Sequence, residues 1–480
     1  MDVGSSSVRA ALYTRSGERL NDTECSLSYS LDVDREGAAT KDAEELFGLF
    51  TSAMDRTLEL AGRFREISAV AVSTFWHAVL GVDGGANPTT PVLTWADRRS
   101  ARCADELRER LDVEALHQRT GCVPHSSYLP AKFLWLSREA PEVFGKTVRW
   151  ISPGEYFYLR LFGESSVGVS MASATGLMHQ NSKKWDEQTL EALPVNESSL
   201  SPISYEPQSG LKQEWARRWP VLSEARWLPA AGDGACSNVG VGSTTGDRAA
   251  LMVGTSGAMR VLWKAESVDI PPGLWCYRPD GTRFVLGGAL SDGGNLIAWL
   301  QDTLRLPSLQ ETEEEISSRK PGSHGLDFLP LLAGERGPQW SDLANGAITG
   351  LSMATTPTDI LHAAMEAVAL RFALISRKIE NSLPPAGERR IVATGGGLSA
   401  SPAWTRMMAD ALGRPLTAST VEEASSRGAA LLAAESLGGP PIEKASIPLG
   451  DTVEPDERRH EAYMEALERQ SALYEALIVK

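Results

Sequence analysis

The chain is poor in the residues that mark several common protein classes. Its 480 residues include only five cysteines: Cys25, Cys103, Cys122, Cys236 and Cys276. They are odd in number and scattered, which argues against a disulfide framework or a cysteine zinc site and fits a reducing cytoplasm. The seven histidines are dispersed, with no His-x-x-x-His pair, so no metal cluster is expected from them. No apolar run is long enough to span a membrane, and no secretory signal opens the sequence. A cationic excess is also lacking. The net charge of −15 argues against a nucleic-acid partner and favours a small-molecule ligand, leaving room for a homodimer. No G-x-x-x-x-G-K-[ST] run is present, so a lysine phosphate loop is excluded as a nucleotide site.

What is present is a repeat. Residues 1–13 read MDVGSSSVRAALY and residues 251–263 read LMVGTSGAMRVLW. Val3/Val253, Gly4/Gly254, Ser5/Thr255, Ser6/Ser256, Leu12/Leu262 and Tyr13/Trp263 correspond at a constant offset. Each segment is a small-residue turn leading into an apolar strand. Glycine removes the Cβ that would keep an anion from the backbone, so N–H groups and hydroxyls converge there. Two such turns suggest a duplicated architecture gripping one polyphosphate from both sides. Asp2 precedes the first turn and Met252 the second, an asymmetry suited to a magnesium–nucleotide. The length fits two or three domains, and the shift to small residues over 226–245 marks a boundary. This gives an N-terminal domain over 1–245 and a C-terminal domain over 246–480.

Apolar spacing predicts a helix over 41–62 and a strand over 67–74. Thr356-Pro357 opens a long helix as cap and first residue. Residues 181–209 read as a surface excursion, and 456–477 as an amphipathic packing helix. The stretch 389–415 reads strand, glycine turn, helix, with Ser401-Pro402 opening the helix and Gly413 closing it. Gly395, Gly397 and Ala400 also satisfy G-x-G-x-x-A, with Glu422 and Glu423 about twenty residues on. A nicotinamide site would normally sit in the first βαβ unit, however, and would not explain two phosphate turns. Glycines Gly395, Gly396 and Gly397 equally let an adenosine lie against the backbone. Asp233, between Gly232 and Gly234, is placed to act as a general base at a cleft, or to cap the helix that follows; the roles are compatible. Trp76, His77, Trp95, Asp97 and Arg98 offer aromatic faces beside hydrogen-bonding groups, a combination that suits a polyhydroxylated ligand.

Together these segments resemble the FGGY family of carbohydrate kinases, in the actin/Hsp70/hexokinase superfamily. MDVGSSSVRAALY is similar to the family's first phosphate segment and MVGTSGAMRV to its second. ATGGGLSASPAWTRMMADALGRP is similar to its adenosine segment, and GDGACSNVGVG to the segment bearing its catalytic aspartate. The resemblance implies an α/β fold of two actin-like (ribonuclease H-like) domains with an interdomain cleft. It implies ATP and Mg²⁺ as cofactors, Asp233 as catalytic base, and Asp2 at the metal. Gly4, Ser5, Ser6, Ser7, Gly254, Thr255, Ser256, Gly257, Gly395, Gly396, Gly397 and Ser401 would hold the nucleotide. Trp76, His77, Trp95, Asp97 and Arg98 would meet the sugar together with Asp233. STFWH, TWADRRS, GLWCYRPDG and GGALSDGGNL are most like the gluconate kinase branch, implying gluconate, with His77 and Arg98 facing its carboxylate. Xylulose and other pentulose or polyol kinases share most of these features. A filament or conformational ATPase of the superfamily, and a binding protein with impaired catalysis, are the alternatives of another class. One departure stands out. Family members carry four or five apolar residues before the first aspartate, whereas only Met1 precedes Asp2, so Asp2 is expected at a fraying strand end.

Overall fold

Two hairpins half a chain apart organise the molecule. In the first, Asp2–Val3 runs antiparallel to Ser7–Ala10 and parallel to Ser73–Thr74. In the second, Arg248–Val253 runs antiparallel to Gly257–Lys264 and parallel to Arg390–Thr394. Each hairpin's second strand takes a further antiparallel neighbour, Cys25–Ser28 in one half and Arg283–Leu290 in the other. The repeat in the sequence is therefore a repeat in topology. The computed structural model describes residues 1–62, 66–383 and 389–479, and shows one five-stranded and one seven-stranded mixed sheet built around these hairpins. The first sheet ends at Ala231–Gly232, and the second receives the chain at Arg248.

The turns differ in one respect that the alignment hides. Gly4 N–H donates to the Ser7 carbonyl, whereas Gly254 N–H donates to that of Ser256, both at 2.9 Å. The second turn is one residue tighter. Gly257 consequently opens a strand, and a Cβ there would lie 2.5 Å from the ring of Phe372.

Helix Ala43–Leu60, capped by Asp42, buries Leu46, Phe47, Phe50 and Met54 at helical spacing. Helix Pro357–Ser382 starts in a capping box between Thr356 and Asp359 and crosses the second core. Helix Glu457–Leu477 closes that domain through Tyr463, Leu467 and Tyr474. The 181–209 segment is more than an excursion. It forms helix Glu187–Glu191, and Leu190, Val195 and Leu200 join Phe133 and Trp150 in a small apolar core. No described helix is long and apolar enough to cross a membrane.

The two lobes meet where helix Asp233–Gly240 lies on helix Ala424–Ser436. A Cβ on Gly240 would fall 1.8 Å from the Ala424 carbonyl oxygen, and one on Gly428 1.7 Å from that of Cys236. Only hydrogen fits at either crossing point, so this joint fixes the lobes at backbone contact.

Folding also assembles a cluster that sequence spacing did not reveal. His324, His362 and Glu366 bring their donor atoms within 4.8 Å of one another. His324 Nδ1 accepts the Leu326 N–H at 3.0 Å, so its proton sits on Nε2 and is donated to Glu366 at 2.9 Å. That tautomer makes the group a hydrogen-bonded knot, because the Nε2 lone pair a metal would need is absent. Burial alone would raise the Glu366 carboxyl, but the hydrogen bond from His324 and the adjacent His362 ring hold it down at about 2.

Candidate active site

Asp233 opens helix Asp233–Gly240, with Gly232 as N-cap. The glycines on either side of it answer to Trp76. A Cβ at Gly232 would lie 1.8 Å from Trp76 Nε1, and one at Gly234 2.5 Å from Cζ3. The indole lies against this backbone because its Nε1–H donates to the Ser170 carbonyl at 3.0 Å. Tyr277 and Trp275 meet it edge-on. Gly234 N–H donates to Asp233 Oδ1 at 2.7 Å, and the helix N-terminus adds a favourable dipole. Burial raises the Asp233 carboxyl above the ordinary aspartate value, while Arg260 and the N–H groups of Gly234 and Trp76 act in the opposite sense. The result is a base closer to neutrality than free aspartate.

Asp2 is not at a fraying end. It is 6% exposed and paired on both sides, against Arg9 and Ser73. The Met1 ammonium donates to the Ala71 carbonyl, and Ser73 N–H to the Met1 carbonyl, each at 2.9 Å. Two neighbouring strands therefore fix what length alone would leave loose. Burial raises the Asp2 carboxyl, Ser73 opposes the shift, and the charge of Asp233 adds to it. Its Oδ1 is buried with no hydrogen-bond partner. An orphaned carboxylate oxygen within reach of a second carboxylate's charge is a fitting ligand for a hard divalent cation.

At the two hairpin turns, Ser5 is half-buried and Ser6 and Thr255 are exposed. Gly294 N–H donates to the Gly254 carbonyl at 2.8 Å, and Asn295 N–H to that of Thr255 at 3.1 Å. The start of helix Gly294–Leu304 thereby braces the second turn. Gly395 has φ +100°, and a Cβ there would lie 2.3 Å from the Val253 carbonyl oxygen. This places the third glycine turn directly beside the second, with Gly396 facing open space. Ser401 departs from expectation. It is fully buried, accepts the Trp404 N–H at 3.1 Å and donates to Glu313 at 2.7 Å. Its hydroxyl is a helix cap and does not reach the cleft. Glu422 and Glu423 pair with Arg19 and Arg9, which commits them to joining the lobes.

On the opposite side, His77 sits at φ +62° with Nδ1 2.6 Å from the Ala174 carbonyl oxygen. A carbonyl only accepts, so Nδ1 carries the proton and Nε2 presents a lone pair. Burial, and then the nearby Arg336, push its pKa well below the usual histidine value. A neutral acceptor suits a hydroxyl and cannot neutralise a carboxylate, which corrects the expectation for His77. Asp97 is equally engaged, held by Arg99 Nη2 at 2.6 Å and Nε at 3.1 Å. Arg98 Nη2 donates to the Asp342 carbonyl, tying the lobes together. Trp95 is half-buried, with the Arg336 guanidinium 4.6 Å from its ring centroid.

Sequence reading missed Arg260, Arg336, Tyr128 and Tyr277. Tyr128 and Tyr277 bond through their hydroxyls across the two lobes, and each meets the His77 ring edge-on. Only Arg260 left a trace in the sequence, as a cation inside the apolar strand that follows the second turn.

Two α/β lobes, a glycine-turn hairpin in each, and a carboxylate at a helix N-terminus between them define a phosphotransferase of the actin/hexokinase type. The chain belongs to the FGGY family of carbohydrate kinases, whose N-terminal domain model matches residues 1–240 and whose C-terminal domain model matches 249–437. It is 29% identical over 451 residues to the gluconokinase of Bacillus subtilis (strain 168), covering 91% of this chain and 87% of that one. It is 25% identical over 445 residues to the xylulose kinase of Lactococcus lactis, with the same two coverages. Among solved structures, the gluconate kinase from Lactobacillus acidophilus superposes with a TM-score of 0.90 at 25% identity, over 100% of this chain and 98% of that one. A xylulose kinase from the same organism does so with 0.90 at 26% identity and the same coverages.

Proposed function

We propose that this carbohydrate kinase transfers the terminal phosphoryl group of ATP to the terminal hydroxyl of gluconate. Asp233 carries the reading. Its charge is felt by Asp2 of the first hairpin, and Arg260 of the second hairpin acts on it in turn. A hydroxyl placed against Asp233 gives up its proton to that carboxylate as the phosphoryl group arrives. Arg260 opposes the rise that burial gives the Asp233 pKa, and Trp76 packs against its flanking glycines. The turns at Gly4–Ser7 and Gly254–Gly257 hold the phosphates through N–H and hydroxyl groups, and Gly395–Gly397 back the adenosine. Asp2 would hold Mg²⁺, which when bound neutralises phosphate charge during transfer. Trp76, His77 and Trp95 face the sugar, His77 accepting from a hydroxyl.

Gluconate is favoured by the likeness to gluconate kinases and by Arg260 and Arg336, the cations that act on Asp233. A pentulose is the second reading, supported by the likeness to xylulose kinases. Five free, buried cysteines support work in a reducing cytoplasm, and a homodimer is checked by sedimentation mass. A coupled ADP-release assay across gluconate, xylulose, glycerol and other sugars tests the substrate. Turnover highest on xylulose would replace gluconate by the second reading.

A further inference from the structure

The buried arginines of this protein fall into two groups. Arg371 pairs with Glu335, Arg283 with Asp280, Glu435 and Glu443, and Arg389 with Glu380. Arg278 and Arg427 donate to several carbonyls. Two others carry buried guanidinium nitrogens without an acceptor and make neither a hydrogen bond nor an ion pair through the guanidinium among the described residues. They are the buried Arg260, with Nε and Nη1 orphaned, and the half-buried Arg336, with Nε orphaned. Both act electrostatically on Asp233. A buried guanidinium nitrogen without an acceptor is costly, and that both arginines act on the charge of Asp233 points to a ligand.

Their positions separate their roles. Arg260 projects from strand Gly257–Lys264 beside Gly234, where a Cβ would lie 3.1 Å from its Nε. It is the counter-charge of Asp233. Arg336 lies on the sugar side, over the Trp95 ring and near enough to act on His77, Tyr128 and Tyr277. Its backbone is anchored from both lobes. The neighbouring Glu335 binds Arg371 and Tyr474 through its carboxylate, and its carbonyl lies 3.0 Å from His125 Nε2. The other cations there are already engaged. Lys132 donates to the Ser126 and Ser127 carbonyls, Arg98 to that of Asp342, and His77 is neutral.

We infer that Arg336 receives the carboxylate of an acidic sugar, making it the residue that separates sugar acids from neutral sugars. The inference deepens the gluconate reading and rests on it. A planar guanidinium stacked on an indole and held on a fixed loop presents two parallel donors to a carboxylate. A neutral polyol offers no charge to that site and leaves the orphaned donors unmet.

The test compares kcat/KM for D-gluconate with that for D-glucitol, which keeps the hydroxyls and lacks the carboxylate. Wild type, Arg336→Met and Arg336→Lys are measured, with KM for ATP alongside and circular dichroism as the folding control. The gluconate preference is expected to fall about 10- to 100-fold in Arg336→Met, the size of a lost charge-assisted contact. Arg336→Lys, which keeps the charge without the fork, should lose part of it and serves alone if the methionine variant fails to fold. An unchanged ratio in a folded variant overturns the inference and leaves the gluconate reading standing. A raised KM for ATP with equal losses on both acceptors also overturns it, assigning Arg336 to the nucleotide phosphates. A wild-type enzyme that prefers xylulose or glucitol removes both together.

Discussion

Replacing Asp233 by Asn changes the chemistry at one atom while sparing the frame around it. The Gly234 N–H that now bonds Oδ1 at 2.7 Å finds an equivalent amide oxygen, and Trp76 keeps its contact with the flanking glycines. What disappears is the proton acceptor and the charge facing Arg260. Loss of a general base costs about 10²- to 10⁴-fold in turnover, equivalent to about 2.7–5.4 kcal/mol of barrier. Stability should respond differently. Because burial raises the folded-state pKa of Asp233, its ionised form costs stability once pH exceeds the unfolded value of about 3.9. Asn removes that cost but leaves Arg260 uncompensated, so the melting temperature should move little. The same shift predicts the pH profile. The acidic limb of kcat/KM should lie above the ordinary aspartate range, and Arg260→Met, by removing the opposing cation, should move it higher still. Steady-state kinetics from pH 4 to 8 with calorimetric melting read both effects. Wild-type turnover in Asp233→Asn, or an acidic limb unmoved by Arg260→Met, would refute the assignment of Asp233 as the base.

Asp2→Asn should raise the Mg²⁺ concentration needed for half-maximal activity while leaving KM for the sugar close to wild type; an unchanged magnesium requirement would remove Asp2 from the metal. Adding four apolar residues ahead of Met1 should raise the melting temperature. The cavity of about 320 Å³ lined by Met1, Ala10, Leu12, Leu58, Ile67 and Val70 can receive side chains, each contributing up to about 1.5–3 kcal/mol. Equal melting temperatures would show that the slot does not accept them. Glu366→Gln should destabilise most near neutral pH. The Glu366 pKa of about 2 lies below an unfolded value of about 4.3. Its contribution is therefore full above that value and lost as pH falls towards 2, so the two melting curves should converge in acid.

The sequence by itself determined the duplication, the two-lobed α/β class and the three glycine turns. These depend on local rules: glycine where an anion or a carbonyl comes close, apolar alternation in strands, and Ser or Thr followed by Pro at helix starts. It also singled out Asp233, a carboxylate between two glycines, and Asp2, an acid two residues before a glycine turn. What only the tertiary structure decided depends on partners distant in the chain. Ser401 was legible as a cap, but its second partner, Glu313, lies 88 positions away and commits its hydroxyl to the interior. Arg98 and Asp97 read as substrate groups in the sequence, and only the fold shows the Asp342 carbonyl and Arg99 as their partners. The proton on His77 follows from the Ala174 carbonyl, 97 positions on, and removes it as a partner for an anion. Arg336 carries no local signature. Its significance is a buried Nε without an acceptor, and a missing contact becomes visible only once every other contact has been placed.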